Sequence, residues 1–179
     1  MKQILNSNHS VAWFTLFQFI LRGEKEKALN IYKLLSRSIN DHALILQLKG
    51  DILVAFNDLE AQSLYLESIK LYLAQHKINE AISIYEKLIL IKEDSKYLTK
   101  LLNLYIKNEN YKKFSELSLK CAELYLNLDS DLKQSLSKFI NYLLEKSDKD
   151  LQKYLSSLNA LNSNYYKYVI EILENKKDE

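Results

Sequence analysis

Apolar residues recur at steps of three and four along almost the whole chain, and short polar segments interrupt them at regular intervals. The pattern predicts about ten helices. The first covers about 10–21 and is apolar around most of its circumference, with Gly23 as its break. The second covers 24–35, with Ala28, Ile31, Tyr32 and Leu35 on one stripe. Asn40 or Asp41 caps a third over 42–56, and Asn57 caps a fourth running to about 75, with Glu60 placed for a capping box. A fifth covers 79–91. Asp94 or Ser95 opens a sixth that ends near Lys107, and a seventh covers 111–126. Asp129 or Ser130 opens the eighth, to about 145, and Ser147 with Asp150 forms a second capping-box pattern before a ninth, to about 158. Asn162 or Ser163 opens the last, over 165–173, ahead of a charged tail. Connections this short make consecutive helices antiparallel neighbours, so the chain predicts a stack of helical hairpins.

A spacing repeats within this pattern. From Phe19, steps of nine, four and three residues reach Ala28, Tyr32 and Leu35, and from Tyr72 they reach Ala81, Tyr85 and Leu88. From Tyr105 they reach Phe114, Ser118 and Cys121, a degraded copy. From Leu53 the small residue comes one position early, at Ala61, followed by Tyr65 and Ser68, with Gly50 three residues before Leu53. A small residue early in the second helix lets two backbones approach, and an aromatic one turn later fills the next layer. Leu53 and Tyr72 are only 19 residues apart, where the neighbouring intervals are 34 and 33. The fourth helix therefore belongs to two hairpins, and a phase slip is expected there.

The segments LQLKGDILVAFNDLEAQSLY and IKLYLAQHKINEAISIYEKL carry a resemblance to the tetratricopeptide repeat superfamily. It covers about 9–126, and 127–179 reads as degenerate repeats with a closing helix. The proline that ends such repeats is missing throughout. The resemblance implies an all-α chain folded as a single domain, 1–179, a right-handed superhelical stack of antiparallel hairpins. In such arrays the first helix of each hairpin lines a concave face that takes an extended or helical peptide. Carried onto this chain, that places Trp13, Phe17, Gln47, Asp51, Lys70, Lys96, Lys100, Asn103 and Lys107 towards the groove. The pair Lys96 and Lys100 resembles the basic pair with which chaperone-binding members grip a C-terminal carboxylate, but the other members of that clamp have no match here.

Composition narrows the function classes. No proline and two glycines argue against a β-sandwich or α/β fold, whose turns need both. With 25 basic and 23 acidic residues mixed along the chain, no basic face for nucleic acid is expected. Cys121 is the only cysteine, which fits a reducing compartment, so the expected setting is the cytoplasm. The apolar run 11–21 contains Gln18, is followed by Arg22, and lacks a small-residue cleavage pattern. It reads as an amphipathic helix rather than a signal-peptide core or a membrane span.

Candidate chemistry is sparse. His9, His42 and His76 lie far apart without metal-ligand spacing, so no metal is expected. No phosphate loop or nucleophile motif is present, and neither an enzyme nor a cofactor is expected. The 13 tyrosines read as core residues with hydroxyls at the rim. Trp13 and Phe17 differ, because Val11, Phe14, Leu16, Phe19 and Ile20 share their helix and one neighbour cannot bury every side. Either residues 1–8 fold over this helix or something else covers it. The expected function is a protein-interaction adaptor or scaffold, chaperone-like in one version, that binds a peptide or helix of another protein. The alternative is a self-associating structural or regulatory domain that dimerises through the first helix.

Overall fold

A computed structural model of the chain describes residues 2–124 and 126–175. Among them there are ten α-helices and no strand. They are α1 (Lys2–Leu21), α2 (Lys25–Ser36), α3 (His42–Ala55), α4 (Glu60–Ala74), α5 (Ile78–Ile91), α6 (Ser95–Lys107), α7 (Tyr111–Glu123), α8 (Ser130–Lys146), α9 (Asp148–Leu161) and α10 (Ser163–Asn175). The chain divides into two compact units, Met1–Ile84 and Tyr85–Glu179, with the boundary inside α5. The sequence pattern placed a slip in the fourth helix, one element earlier. That helix has 15 residues against 14 in α3 and α5, so it is hardly longer than its neighbours.

In the first unit α1 pairs with α2 and α3 with α4. Leu16, Ala28, Tyr32, Leu35 and Ile52 form one buried cluster, with Ala12, Phe19 and Ile20 packed against it. Leu53, Ala61 and Leu64 form a second between α3 and α4. The α3–α4 pair closes tightly because Gly50 has no side chain: a Cβ there would lie 2.6 Å from Cε1 of Tyr65. Asp41 caps α3 by accepting from the amides of Ala43 and Leu44 at 3.0 and 3.3 Å. α1 begins at Lys2 rather than near Ser10, so the backbone ahead of Ser10 continues the helix instead of folding over it.

In the second unit α6 packs on α7 and α8, α7 on α9, and α10 on both α8 and α9. Asp94, Asn110, Asp129 and Ser147 cap α6, α7, α8 and α9 through their side chains. Asn162 opens α10 by accepting from the amides of Asn164 and Tyr165, and its Nδ2 donates to the Ala122 carbonyl at 3.0 Å.

The repeat marks are core residues. Ala28, Tyr32, Leu35, Ala61, Tyr65, Ser68, Ala81, Tyr85, Leu88, Phe114, Ser118 and Cys121 are all buried. The residue that starts each copy has a role the spacing alone did not reveal. Gly23, Asn57, His76 and Glu109, four residues after Phe19, Leu53, Tyr72 and Tyr105, all have φ between 53° and 72°. Each donates its amide to the carbonyl three residues back, and the next residue donates to the carbonyl of Phe19, Leu53, Tyr72 or Tyr105. This is the Schellman helix stop, made four times at one phase of the repeat. It corrects the expectation for Asn57, which is the left-handed turn residue and not an N-cap. Asp58 instead accepts from the Glu60 amide at 2.9 Å, so no Asn57–Glu60 capping box forms.

The copy that starts at Tyr105, the fourth along the chain, inverts the sizes of its two key residues. Phe114 stands where the others have alanine, and Ser118 stands where they have tyrosine. Tyr154 of α9 reaches in, its hydroxyl 2.8 Å from Ser118 Oγ. Phe114 packs on Phe139 of α8 at 4.7 Å between ring centroids. Volume lost at one position is recovered from another helix.

Candidate functional site

The first unit carries its most unusual surface on α1. One face of this helix is spent on α2, through Ala12, Leu16, Phe19 and Ile20. On the other, Val11, Phe14, Phe17 and Leu21 are 56–70% exposed, with Trp13 beside them at 42%. Phe14, Phe17 and Leu21 follow steps of three and four, so they make a continuous stripe along the helix. Single exposed apolar residues are ordinary, but a contiguous row that includes two phenylalanines and a tryptophan is not.

The polar residues expected towards the groove divide into two kinds. Gln47 and Asp51, on α3, face tyrosines of α4: Tyr72 Oη donates to Gln47 Oε1 at 2.9 Å, and Tyr65 Oη donates to Asp51. Asn103 of α6 accepts a hydrogen bond from Ser135 Oγ of α8. These three side chains tie helices together within their own unit. Lys70, Lys96, Lys100 and Lys107 are exposed. Lys100 lies 3.6 Å from Asp131, an exposed pair that contributes little.

The tyrosine hydroxyls reach partners inside the helix stack more often than a rim position would suggest. Tyr32 Oη donates to the Ile45 carbonyl, Tyr105 to Glu86 Oε1, and Tyr165 to the Leu126 carbonyl. Burial, helped by the charges of Asp41, Glu80 and Asp51, pushes Tyr72 up to about 12, so its hydroxyl stays protonated as a donor. Burial likewise pushes the Cys121 thiol up to about 12, so this buried side chain is a protonated thiol near neutral pH.

A feature that sequence reading missed lies in the second unit. A groove of about 460 Å³ runs between α7, α8 and α9, floored by Tyr111, Phe139, Tyr142 and Leu143. Tyr111 and Tyr142 stack face to face, 3.6 Å apart and 10° from parallel. Lys112, Glu116, Asp150 and Lys153 border it with two charges of each sign. Tyr111 and Tyr142 lie 31 residues apart on different helices, so no local spacing could announce them. Among the described residues no group of three or more His, Cys, Asp or Glu side chains is arranged to hold a metal. No helix there is long and apolar enough to cross a membrane.

No family model and no curated protein matches the chain. Two solved structures of one Podosopora anserina protein, described as a kinesin light chain with nearly identical TPR-like repeats, are similar to it. The first is 13% identical and covers 90% of this chain and 96% of its own, with a TM-score of 0.35. The second, a glutamine-to-methionine variant, is 12% identical with coverages of 91% and 96% and the same TM-score. So loose an overlap adds nothing to the fold reading, which stands on the helix pairs, their stops and their buried repeat residues.

Proposed function

We propose that this protein is a protein–protein interaction scaffold that receives an apolar helix or peptide of a protein chain. The supporting observation is the exposed stripe of Val11, Phe14, Phe17 and Leu21 with Trp13 beside it. Exposed aromatic residues on a helix held rigidly from its opposite face are the usual anchors of protein interfaces. The helix needs no rearrangement to present them, because Leu16 and Ile20 already hold it against α2. Lys70 is exposed on α4 of the same unit, while Gln47 and Asp51 fix α3 against α4.

A photo-reactive phenylalanine analogue at position 17, expressed in the native cell, tests this directly. Adducts to a protein chain are expected from position 17 and not from Lys33, an exposed residue of α2. Stability gives the control. Trp13→Ala with Phe17→Ala is expected to leave the melting temperature within a few degrees of wild type. Leu16→Ala, which removes a buried side chain, is expected to cost about 2–5 kcal/mol. A double variant that loses as much stability as Leu16→Ala, with no adduct at position 17, would make these residues ordinary core.

A further inference from the structure

We infer that the protein chain received by the α1 face is α1 of a second copy, so that the scaffold is a symmetric dimer joined through antiparallel α1 helices. The inference rests on the interaction reading of that face and names its occupant. The first argument is charge. From Gln3 to Leu21 the chain contains no Asp, Glu, Lys or Arg. A foreign partner is ordinarily selected by complementary charges around its apolar anchors. This face offers none to read, and two identical uncharged faces meet without like-charge repulsion.

The second argument is area. Two phenylalanines, a valine and a leucine more than half exposed, with a tryptophan at 42%, present on the order of 500 Å² of apolar surface per chain. Complete burial of that surface in both copies would remove about 1,000 Å², the threshold for a well-fitted contact and the size of a weak, concentration-dependent pair. The third is geometry. In a two-fold pair the same patch must complement itself. With the helices antiparallel, Val11 of one copy faces Leu21 of the other and the two phenylalanines of each meet in the middle. That arrangement also keeps the two Arg22 side chains at opposite ends, whereas a parallel pair would set them side by side. Arg22 is held along its own helix by a 3.0 Å hydrogen bond from Nη2 to Gln18 Oε1.

Trp13 is the chain's only tryptophan, so its emission reports on this face alone. Sedimentation and tryptophan emission of the purified full chain from about 1 to 100 μM should show a monomer–dimer equilibrium. The emission should shift to the blue in step with dimer formation. Phe14→Glu with Phe17→Glu should raise the dissociation constant at least about 30-fold, with unchanged helical circular dichroism. If that variant does not fold, the milder Phe14→Ser should still weaken the dimer while the emission of its Trp13 stays red-shifted at high concentration. A wild-type monomer throughout the range overturns the inference. So does a monomer whose Trp13 emission shifts only on adding phosphatidylcholine–phosphatidylglycerol vesicles, which would assign the face to a lipid surface. A monomer that still forms protein adducts at position 17 in cells removes self-pairing and leaves the scaffold reading standing.

Discussion

The ring of Tyr65 lies so close over Gly50 that a Cβ there would come within 2.6 Å of Cε1 and 2.7 Å of Cδ1. The ring cannot swing away, because it is 1% exposed and its hydroxyl is bonded to Asp51. Two effects therefore oppose each other in Gly50→Ala. Helix propensity favours alanine inside α3 by about 1 kcal/mol. Forcing a methyl against a pinned, buried ring costs about 1–3 kcal/mol. Gly50→Ala should lower the urea midpoint. Tyr65→Leu in the same background should recover part of the loss, and additive effects of the two changes would show that they do not touch.

Acid should loosen the protein through its tyrosine- and lysine-bound carboxylates. Burial alone would raise the pKa of Glu86. Hydrogen bonds from Lys113 and Tyr105 overcome that and hold it below its ordinary 4.5. Asp41, bonded by Lys77, and Asp58, bonded by Lys25, are shifted in the same direction. A carboxyl depressed in the fold binds fewer protons there than in the unfolded chain. Its contribution is complete above about pH 5 and disappears as pH falls through the folded value. Urea midpoints measured between about pH 6 and pH 3 should fall steadily, and Glu86→Gln should flatten the curve below about pH 4.5. A midpoint constant across that range would exclude the effect.

The repeat was legible because it rests on packing, and packing leaves a periodic record. Ala28, Ala61 and Ala81 are small for the same reason, and all three are buried. The helix stops were not legible. Gly23 favours the left-handed conformation by its type and Asn57 and His76 merely tolerate it, while Glu109 adopts it at the same phase with nothing in its type to announce it. The exposed face of α1 was half legible: an over-apolar first helix flagged Trp13 and Phe17, whereas the hydrogen bonds that Gln47, Asp51 and Asn103 accept from neighbouring helices left no mark in the spacing. The Tyr111–Tyr142 stack was invisible, since it depends on how α7 and α8 meet and not on either helix alone.

Restoring the apparent consensus in α7 should damage the protein. Ser118 marks a position where other copies have tyrosine, so Ser118→Tyr looks like a repair. Its place is already taken by Tyr154, which is 4% exposed and hydrogen-bonds Ser118 Oγ. Ser118→Tyr should cost about 1–3 kcal/mol by overpacking. Ser118→Ala should cost about 1 kcal/mol by leaving a buried hydroxyl without its partner. Combining Ser118→Tyr with Tyr154→Ala should recover stability relative to Ser118→Tyr alone. A stabilising Ser118→Tyr, read by thermal unfolding, would show that Tyr154 is not what fills this site.

The four helix stops supply a graded test of backbone strain. At each, a residue in the left-handed region lets the next amide reach a carbonyl five residues back. Glycine adopts that conformation freely, asparagine and histidine tolerate it, and glutamate has no special means to do so. The left-handed conformation costs an ordinary residue roughly 1–2 kcal/mol, whereas glycine at Glu109 loses some of this gain to the greater freedom of its unfolded chain. Glu109→Gly should therefore stabilise by about 0.5–1 kcal/mol, and His76→Gly by less. Gly23→Ala should destabilise by about 1 kcal/mol, and the cost must come from backbone conformation, since a Cβ at Gly23 would meet no atom within 4 Å. Thermal unfolding of the three variants separates this account from one based on side-chain contacts. If Gly23→Ala were neutral while Glu109→Gly lost stability, conformation at the stops would not control these helix ends and the contacts of Glu109 would.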